Sequence, residues 1–235
     1  MTMPYYVSPE QIMADKAEFS RKGIARGKSI VALEYNSGIL LIAENATKLL
    51  KIGEIYDRVA FAGVGKFSEF DQLRKLGVRY ADTKGYAYSR DDVVAKALAN
   101  AYSQTVGEAF TREMKPLEVE LIVAEVGDAG FENHEENVLY RIKFDGFISD
   151  HRGFCVIGGD VDEVEQAIKQ GHDTSMELIE AVRLGHGALG RVSDASDASG
   201  ALAAESLEVC VLDGESPGRR FRRLLTDEVQ ALLTG

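Results

Sequence analysis

The sequence of 235 residues is short of several residue types, and each shortage excludes a class of protein. It contains two cysteines, four prolines and no tryptophan. Two cysteines outside a CxxC spacing support neither a disulfide framework nor a thiol-ligated zinc site. The longest apolar runs, such as 39–43 and 59–64, are far shorter than the roughly 20 residues of a membrane-spanning helix. We therefore expect no membrane span.

Basic residues are also in deficit: 27 lysines and arginines face 38 aspartates and glutamates, for a net charge of −11. A binder of nucleic acid would carry a basic footprint, so no nucleic-acid partner is expected. The N-terminus has no basic segment followed by an apolar stretch, which excludes a secretory signal and favours a cytoplasmic location. A hydrophobic content of 45% is typical of a folded chain, and one large domain is the simplest interpretation.

Residues that could bind a metal or act as nucleophiles are scattered. Cys155 and Cys210 lie in apolar runs, which predicts two buried thiols. No HExxH motif and no Ser in a G-x-S-x-G elbow occurs. The four histidines, which show no metal-ligand spacing, lie at positions 134, 151, 172 and 186. We expect neither a metal nor a cofactor.

The chain opens with a strong helix start. Ser8 is a capping residue, Pro9 suits the first helical position, and Gln11 follows three residues after the cap. Ile12 and Phe19 then recur at helical spacing on an otherwise charged segment. So narrow an apolar stripe suits a packing surface between subunits.

The remaining chain alternates between groups of strands and pairs of helices. Such grouping does not predict alternating βαβ units. It predicts an α+β fold in which two antiparallel sheets pack face to face, with a helix pair outside each. The predicted strands are 29–35, 39–43, 48–52, 58–62, 117–126, 139–144, 147–149, 154–157 and 206–212. The predicted helices after the first are 66–80, one that starts near residue 89, 161–169, 175–192 and 226–233, with a loop at 193–204.

The glycines after the fourth strand superficially suggest a phosphate-binding loop. In a dinucleotide fingerprint, Ser68 stands where the third glycine belongs. In a phosphate loop, Ala60 replaces the first glycine and Phe67 stands where Ser or Thr should follow the lysine. The segment Gly63–Gly65 is therefore interpreted as a break in the sheet and a strand-to-helix turn.

Several segments, spread over nearly the whole chain, carry a resemblance to a known family. The runs 22–33 and 38–45 resemble the first hairpin of proteasome subunits, and the helix after Ser8 resembles the additional N-terminal helix of the α-type subunits. The runs 51–59, 115–121, 206–209 and 219–223 are similar to the actinobacterial branch. The resemblance implies a four-layer αββα sandwich with an extra N-terminal helix. Within one domain, 1–8 would be a tail, 9–27 the helix and extension, and 28–235 the sandwich.

The same resemblance bears on catalysis. The β-type relatives use an N-terminal threonine as nucleophile, with its free amino group as base. The corresponding position here lies near Lys28, after 27 residues, and Gly27-Lys28 replaces the Gly-Thr junction that β-type precursors cleave. No catalytic residue is therefore implied. The alternative is an active threonine- or serine-type N-terminal-nucleophile peptidase, matured near Gly27 and using Ser29, or one using Thr2.

The resemblance implies a role in a ring instead. Seven α-type subunits form each outer ring of a 28-subunit α7β7β7α7 barrel, so the implied partners are neighbouring α subunits and the β subunits. The ring-shaped proteasomal ATPase, which delivers Pup-tagged proteins, and ATP-independent activators would dock through their C-terminal tails. The implied docking pocket comprises Lys51, Gly65 and Lys66.

The tail would gate the axial pore of the ring. In the archaeal and eukaryotic relatives a tyrosine in the first helix braces the open gate, whereas Glu18 lies at the matching position here. The bracing mechanism is therefore not carried over to this chain. The implied gate residues are Thr2, Met3, Pro4, Tyr5, Tyr6, Val7, Ser8 and Pro9.

Overall fold

The computed structural model describes residues 8–127, 136–194 and 201–235. Ten strands form two five-stranded antiparallel sheets, in the orders β10-β9-β2-β1-β8 and β3-β4-β5-β6-β7. The strands are β1 (Ile30–Tyr35), β2 (Gly38–Glu44), β3 (Ile52–Tyr56), β4 (Val59–Gly65), β5 (Val119–Glu125), β6 (Val138–Ile142), β7 (Ile148–His151), β8 (Phe154–Ile157), β9 (Leu207–Asp213) and β10 (Phe221–Arg223).

Helices cover the outer face of each sheet, which confirms the four-layer αββα prediction. The second and third helices pack on the β3-to-β7 sheet, and the fourth and fifth pack on the other. The helices are α1 (Pro9–Ala25), α2 (Phe67–Ala87), α3 (Ala95–Arg112), α4 (Val161–Lys169), α5 (Leu178–Val192) and α6 (Thr226–Thr234). None of the helices in the described part of the chain has the length and apolarity needed to cross a bilayer.

The alternation of side chains along each strand separates three layers of core. On β1, Ile30 and Ala32 face the space between the sheets, whereas Val31 and Leu33 face α4 and α5. Cys155 and Cys210 lie in the layer between the sheets, which confirms that both are buried. Burial raises the pKa of each thiol to about 12, so neither is a reactive thiolate at neutral pH.

Three sequence predictions for the sheets are wrong. The third strand begins at Ile52 rather than at Lys48, and Leu49 and Leu50 lie half-exposed in the preceding turn. Gly63–Gly65 does not break the sheet, because these residues continue β4 and pair with β5. The basic segment at 219–223 contains strand β10, which pairs with β9 and was not predicted.

Three predicted helices also have different bounds, one of which, predicted at 175–192, begins only at Leu178. The helix predicted at 66–80 extends to Ala87, and the helix predicted from residue 89 begins only at Ala95, after a short 3-10 turn. Within the loop predicted at 193–204, residues 195–200 lie outside the described residues.

Helix α1 begins where the sequence indicates, with Pro9 as its first residue and the Ser8 hydroxyl accepting a hydrogen bond from the Gln11 amide at 3.2 Å. It packs across the ends of β4 and β5. Lys16 Nζ donates to the carbonyl oxygens of Phe110 (3.0 Å) and Glu113 (2.6 Å) at the end of α3. Only part of the helix is covered, as the low apolar content of the segment predicts.

Candidate activator-docking site

Lys51 lies in the turn that leads into β3, at the point where three strand ends meet. Its ammonium donates to the carbonyl oxygens of Glu44 at 2.9 Å and Lys28 at 3.2 Å. Its own carbonyl accepts a hydrogen bond from the Gly63 amide at 3.0 Å. Burial lowers the pKa of Lys51 below its ordinary value, while the charges of Glu208 and Glu44 act in the opposite direction.

One buried carboxylate, that of Glu208, holds the backbone on which Lys51 stands. Its oxygens accept hydrogen bonds from the amides of Lys51 and Ile52, both at 3.0 Å. They also accept from Asn45 Nδ2 at 2.6 Å and from Arg223 Nη1 at 2.5 Å. Four donors on one buried carboxylate make the position of Lys51 rigid.

Sequence reasoning did not assign a role to Glu208 or Arg223. Both lie in segments that carry the family resemblance, at 206–209 and 219–223. Their partners at the start of β3 are more than 150 residues away in sequence. Glu208 and Arg223 reach the start of β3 only in the folded chain, where β9 pairs with β2 and β10.

Gly65 ends β4 in a conformation that requires glycine. Its φ is +105°, and a Cβ atom at this position would lie 1.9 Å from the Glu118 carbonyl oxygen. The backbone of Gly27 is close by, because a Cβ on Gly27 would lie 3.2 Å from the Gly65 nitrogen. The carbonyl oxygen of the next residue, Lys28, accepts a hydrogen bond from the Lys51 ammonium. The segment Gly27–Lys28 therefore lies close to Gly65 at one residue and contacts Lys51 at the next.

Lys66 takes a different environment from Lys51. It caps the start of α2, and its ammonium lies 3.3 Å from Glu69 Oε1, with about half of the side chain exposed. Glu69 also pairs with Lys115 at 2.9 Å. No hydrogen bond or ion pair joins Lys66 to Lys51 within the described ranges, so the two ammonium groups are separately held.

The position predicted to correspond to the β-type nucleophile lies near Lys28. The Lys28 ammonium lies 3.7 Å from Glu44 Oε1 and 3.6 Å from Asp194 Oδ2. The neighbouring Ser29 is buried, and its hydroxyl makes no hydrogen bond with any described residue. A Cβ on Gly158 would lie 2.8 Å from Ser29 Cα, so the backbone of the β8–α4 turn covers this residue.

Of the gate residues, the structure describes Ser8 and Pro9, which form the start of α1, while residues 2–7 lie outside the described residues. Glu18 lies on the exposed side of α1 and pairs with Lys22, its carboxylate 2.6 Å from the ammonium. The hydrogen bond from Lys22 and its charge lower the pKa of Glu18. This carboxylate is thus engaged along its own helix.

The described histidines serve the fold. His172 Nε2 lies 2.9 Å from the Glu34 carbonyl oxygen, and His186 Nε2 lies 2.8 Å from that of Leu202. His151 Nε2 lies 2.9 Å from the Ser149 hydroxyl. Across the residues that the structure describes, no three His, Cys, Asp or Glu side chains group in a way that could hold a metal ion.

Comparison with known proteins agrees with this architecture. A sequence profile described as "Proteasome subunit" matches residues 24–212. A protein of Thermomonospora curvata named "Proteasome subunit alpha" is 51% identical and aligns over 99% of this chain and 98% of its own length. Its namesakes from Geodermatophilus obscurus (50%, 99% of this chain and 82% of its own) and Thermobifida fusca (47%, 99% and 91%) are similar. The chain therefore belongs to the proteasome subunit family, in its actinobacterial α-type branch.

Proposed function

We propose that this chain is a non-catalytic outer-ring subunit that gates a proteasome core particle and docks activators through Lys51. The observation that carries the proposal is the rigid placement of the Lys51 ammonium, whose acceptor Lys28 follows directly on Gly27, a neighbour of Gly65. Two backbone carbonyls hold that ammonium, and Glu208 fixes the backbone beneath it. The relatives named proteasome subunit alpha support the ring role.

Docking would use the charge of this ammonium. The C-terminal carboxylate of an activator tail is a compact anion. The Lys51 ammonium has one N–H donor left for it, because the carbonyl oxygens of Glu44 and Lys28 accept the other two. The glycine at position 65 would contribute through its backbone, whose positive φ sets the course of the chain from β4 into α2. The expected activators are the ring-shaped proteasomal ATPase that delivers Pup-tagged proteins and ATP-independent rings. We expect a particle with these activators to lie in the cytoplasm, with β subunits and neighbouring α subunits as its other partners.

The docking assignment is tested by Lys51→Ala in particles assembled with the β subunit. We expect the variant to lose most activator-stimulated protein degradation, because the tail carboxylate loses its counter-charge, while basal peptide cleavage is retained. Lys169→Ala is the matched control, since Lys169 is an exposed lysine on α4 that pairs with Glu165. Stimulation that survives in Lys51→Ala as well as it does in Lys169→Ala would refute the docking role.

Gating is assigned to the tail before α1. The tail carries Tyr5 and Tyr6 and no charged side chain, so seven copies could bring apolar surface together at the ring axis. Ser8 should be kept in a truncation, because its hydroxyl caps α1 and loss of such a cap costs about 1 kcal/mol. Deleting residues 2–7 tests the tail without disturbing the helix.

The truncated particle should degrade casein faster than wild type and cleave small peptides at a similar rate. A polymer needs an open pore, whereas a short peptide depends mainly on the β sites. A variant whose residues 2–7 are replaced by Gly and Ser separates tail length from side-chain identity. Equal casein rates in wild type and the truncation would exclude gating by this tail.

The peptidase alternative receives no support from the geometry. A Ser29 nucleophile would need an exposed hydroxyl next to a free amino group. Ser29 is buried and follows Lys28 and an ordered helix in the same chain. The proposed role therefore includes no peptidase chemistry by this chain, and cleavage is assigned to the threonine-type β subunits.

A further inference from the structure

A cleft of about 740 Å³ lies at the open edge of the sandwich, and we call it the edge cleft. It is bordered by β3, which is the edge strand of one sheet, by the first turns of α2, and by the segment 219–223 around β10, the edge strand of the other sheet. Arg223 joins the two strands, since it donates to Glu208 and, at 2.6 Å, to the carbonyl oxygen of Ile52. The edge cleft is therefore a fixed feature of the fold.

The edge cleft is cationic in a chain of net charge −11. Five cationic side chains line it and only two carboxylates do. Three of the cationic side chains, Lys48, Arg219 and Arg222, are exposed. The full set is Lys48, Arg74, Arg219, Arg222 and Arg223 against Glu54 and Asp71.

The existing ion pairs leave donors unused. Arg219 directs Nε and Nη2 at a single oxygen, Glu54 Oε2. Arg74 does the same with Asp71 Oδ1, at 3.2 and 2.8 Å. A guanidinium has five N–H donors, so each retains capacity for a second carboxylate. No ion pair of Lys48 is formed with another described residue.

The remaining lining indicates a peptide rather than a small anion. Phe67 and Phe221 add apolar surface, and the volume is in the range of sites that bind drug-sized ligands, which is far more than a small anion fills. The strand β3 is an edge strand, so an extended chain can lie beside it after Ile52, whose amide and carbonyl are bound by Glu208 and Arg223. A long nucleic acid would extend beyond the cleft onto an acidic surface, and repulsion acts over a Debye length of about 8 Å. The lining therefore favours a short acidic peptide.

We propose that the edge cleft binds a short acidic segment of a partner protein, with Asp or Glu side chains against Lys48, Arg219 and Arg222. Carboxylates of the segment would form bidentate pairs with the free sides of the guanidinium groups. The segment would lie along β3 with apolar side chains against Phe67 and Phe221. This inference goes beyond the proposed function, because it needs neither Lys51 nor a terminal carboxylate.

The test measures fluorescence anisotropy with the full-length chain co-purified with its β subunit. The probe is a fluorescein-labelled decapeptide of alternating Glu and Thr with an amidated C-terminus, which removes the carboxylate that Lys51 would bind. A decapeptide of alternating Gln and Thr and a single-stranded RNA decamer serve as comparisons. The variant is Lys48→Gln/Arg219→Gln. Its control is Arg152→Gln/Lys169→Gln, which removes the same charge at exposed ion pairs elsewhere.

We expect the Glu peptide to bind, and the edge-cleft variant to weaken its binding at least tenfold while the control variant changes it less than twofold. Raising the salt concentration should weaken binding of the Glu peptide further. Equal binding of the Glu and Gln peptides, or equal loss in both variants, would overturn the proposal. So would no binding at all, or tighter binding of the RNA with the same dependence on Lys48 and Arg219. None of these results depends on the outcome of Lys51→Ala.

Discussion

At the scale of single residues, Glu208 is the group on which the candidate site depends. Its buried carboxylate connects β9 to the start of β3 and to Arg223 on β10. A sequence can indicate a lysine such as Lys51 by resemblance, because the lysine lies in a recognisable local run. It cannot indicate the carboxylate that holds this lysine, because the contact joins residues far apart in the chain.

Replacement of Glu208 by Gln should therefore affect both stability and docking. We expect the free energy of unfolding to fall by about 3 kcal/mol, because Arg223 loses a buried partner. The measurement is denaturant unfolding of the variant beside Glu228→Gln, which removes an exposed partner of Arg222. A loss of unfolding free energy no larger than that of Glu228→Gln would contradict the stabilising role of Glu208.

The same variant gives a pH dependence with a definite sign. Burial lowers the pKa of Lys51 and the charge of Glu208 opposes that effect, so Glu208→Gln lowers the Lys51 pKa further. The Lys51 ammonium then loses its proton at a lower pH than in wild type. Activator-stimulated degradation, normalised to basal peptide cleavage at each pH, should fall at a lower pH in the variant. If stimulated degradation falls at the same pH in the variant and in wild type, Glu208 does not act through the charge of Lys51.

At the scale of elements, local patterns predicted the type of most helices and strands. Helix α4 has the predicted bounds, and α1 begins at the predicted cap. The third strand was misplaced because Lys48–Ile52 is a mixed apolar run, yet Leu49 and Leu50 remain half-exposed. Strand β10 was missed because an edge strand rich in arginine resembles a charged loop. The antiparallel pairing with β9, which the local sequence does not indicate, makes this segment a strand.

The packing of α2 on α3 can be tested at one close contact between the two helices. Gly77 of α2 faces Tyr102 of α3, and a Cβ on Gly77 would lie 1.7 Å from the Tyr102 hydroxyl oxygen. That hydroxyl is buried without a hydrogen-bond partner among the described residues. Gly77→Ala should therefore cost about 2 kcal/mol, as overpacking does, despite the better helix propensity of alanine.

Tyr102→Phe should be close to neutral, because it removes a buried hydroxyl that makes no hydrogen bond. In the Tyr102→Phe background, Gly77→Ala should cost less, since the hydroxyl oxygen is absent and the ring carbon Cζ, 2.7 Å from the added Cβ, is left as the closest atom of the ring. Chemical denaturation of the two single variants and the double variant measures this coupling. Additive losses would contradict this account, because they would show that the hydroxyl oxygen does not determine the cost of Gly77→Ala.

At the scale of the whole molecule, the sandwich, its extra helix and its charge distribution define an assembly component. Helix α1 leaves Ile12, Met13 and Phe19 partly exposed, as expected of a surface that packs in a ring. The basic groups of Lys51 and the edge cleft lie in a chain of net charge −11. The proposed docking would therefore depend on local cations rather than on net charge.

In the proposed role, the chain directs substrates and activators but cleaves no peptide bonds. The most direct test is hydrolysis of a fluorogenic peptide by the purified chain, measured alone and after assembly with its β subunit. We expect no hydrolysis by the chain alone and hydrolysis only once the β subunit is present. Hydrolysis by the chain alone that disappears in Ser29→Ala or Thr2→Ala would contradict the claim.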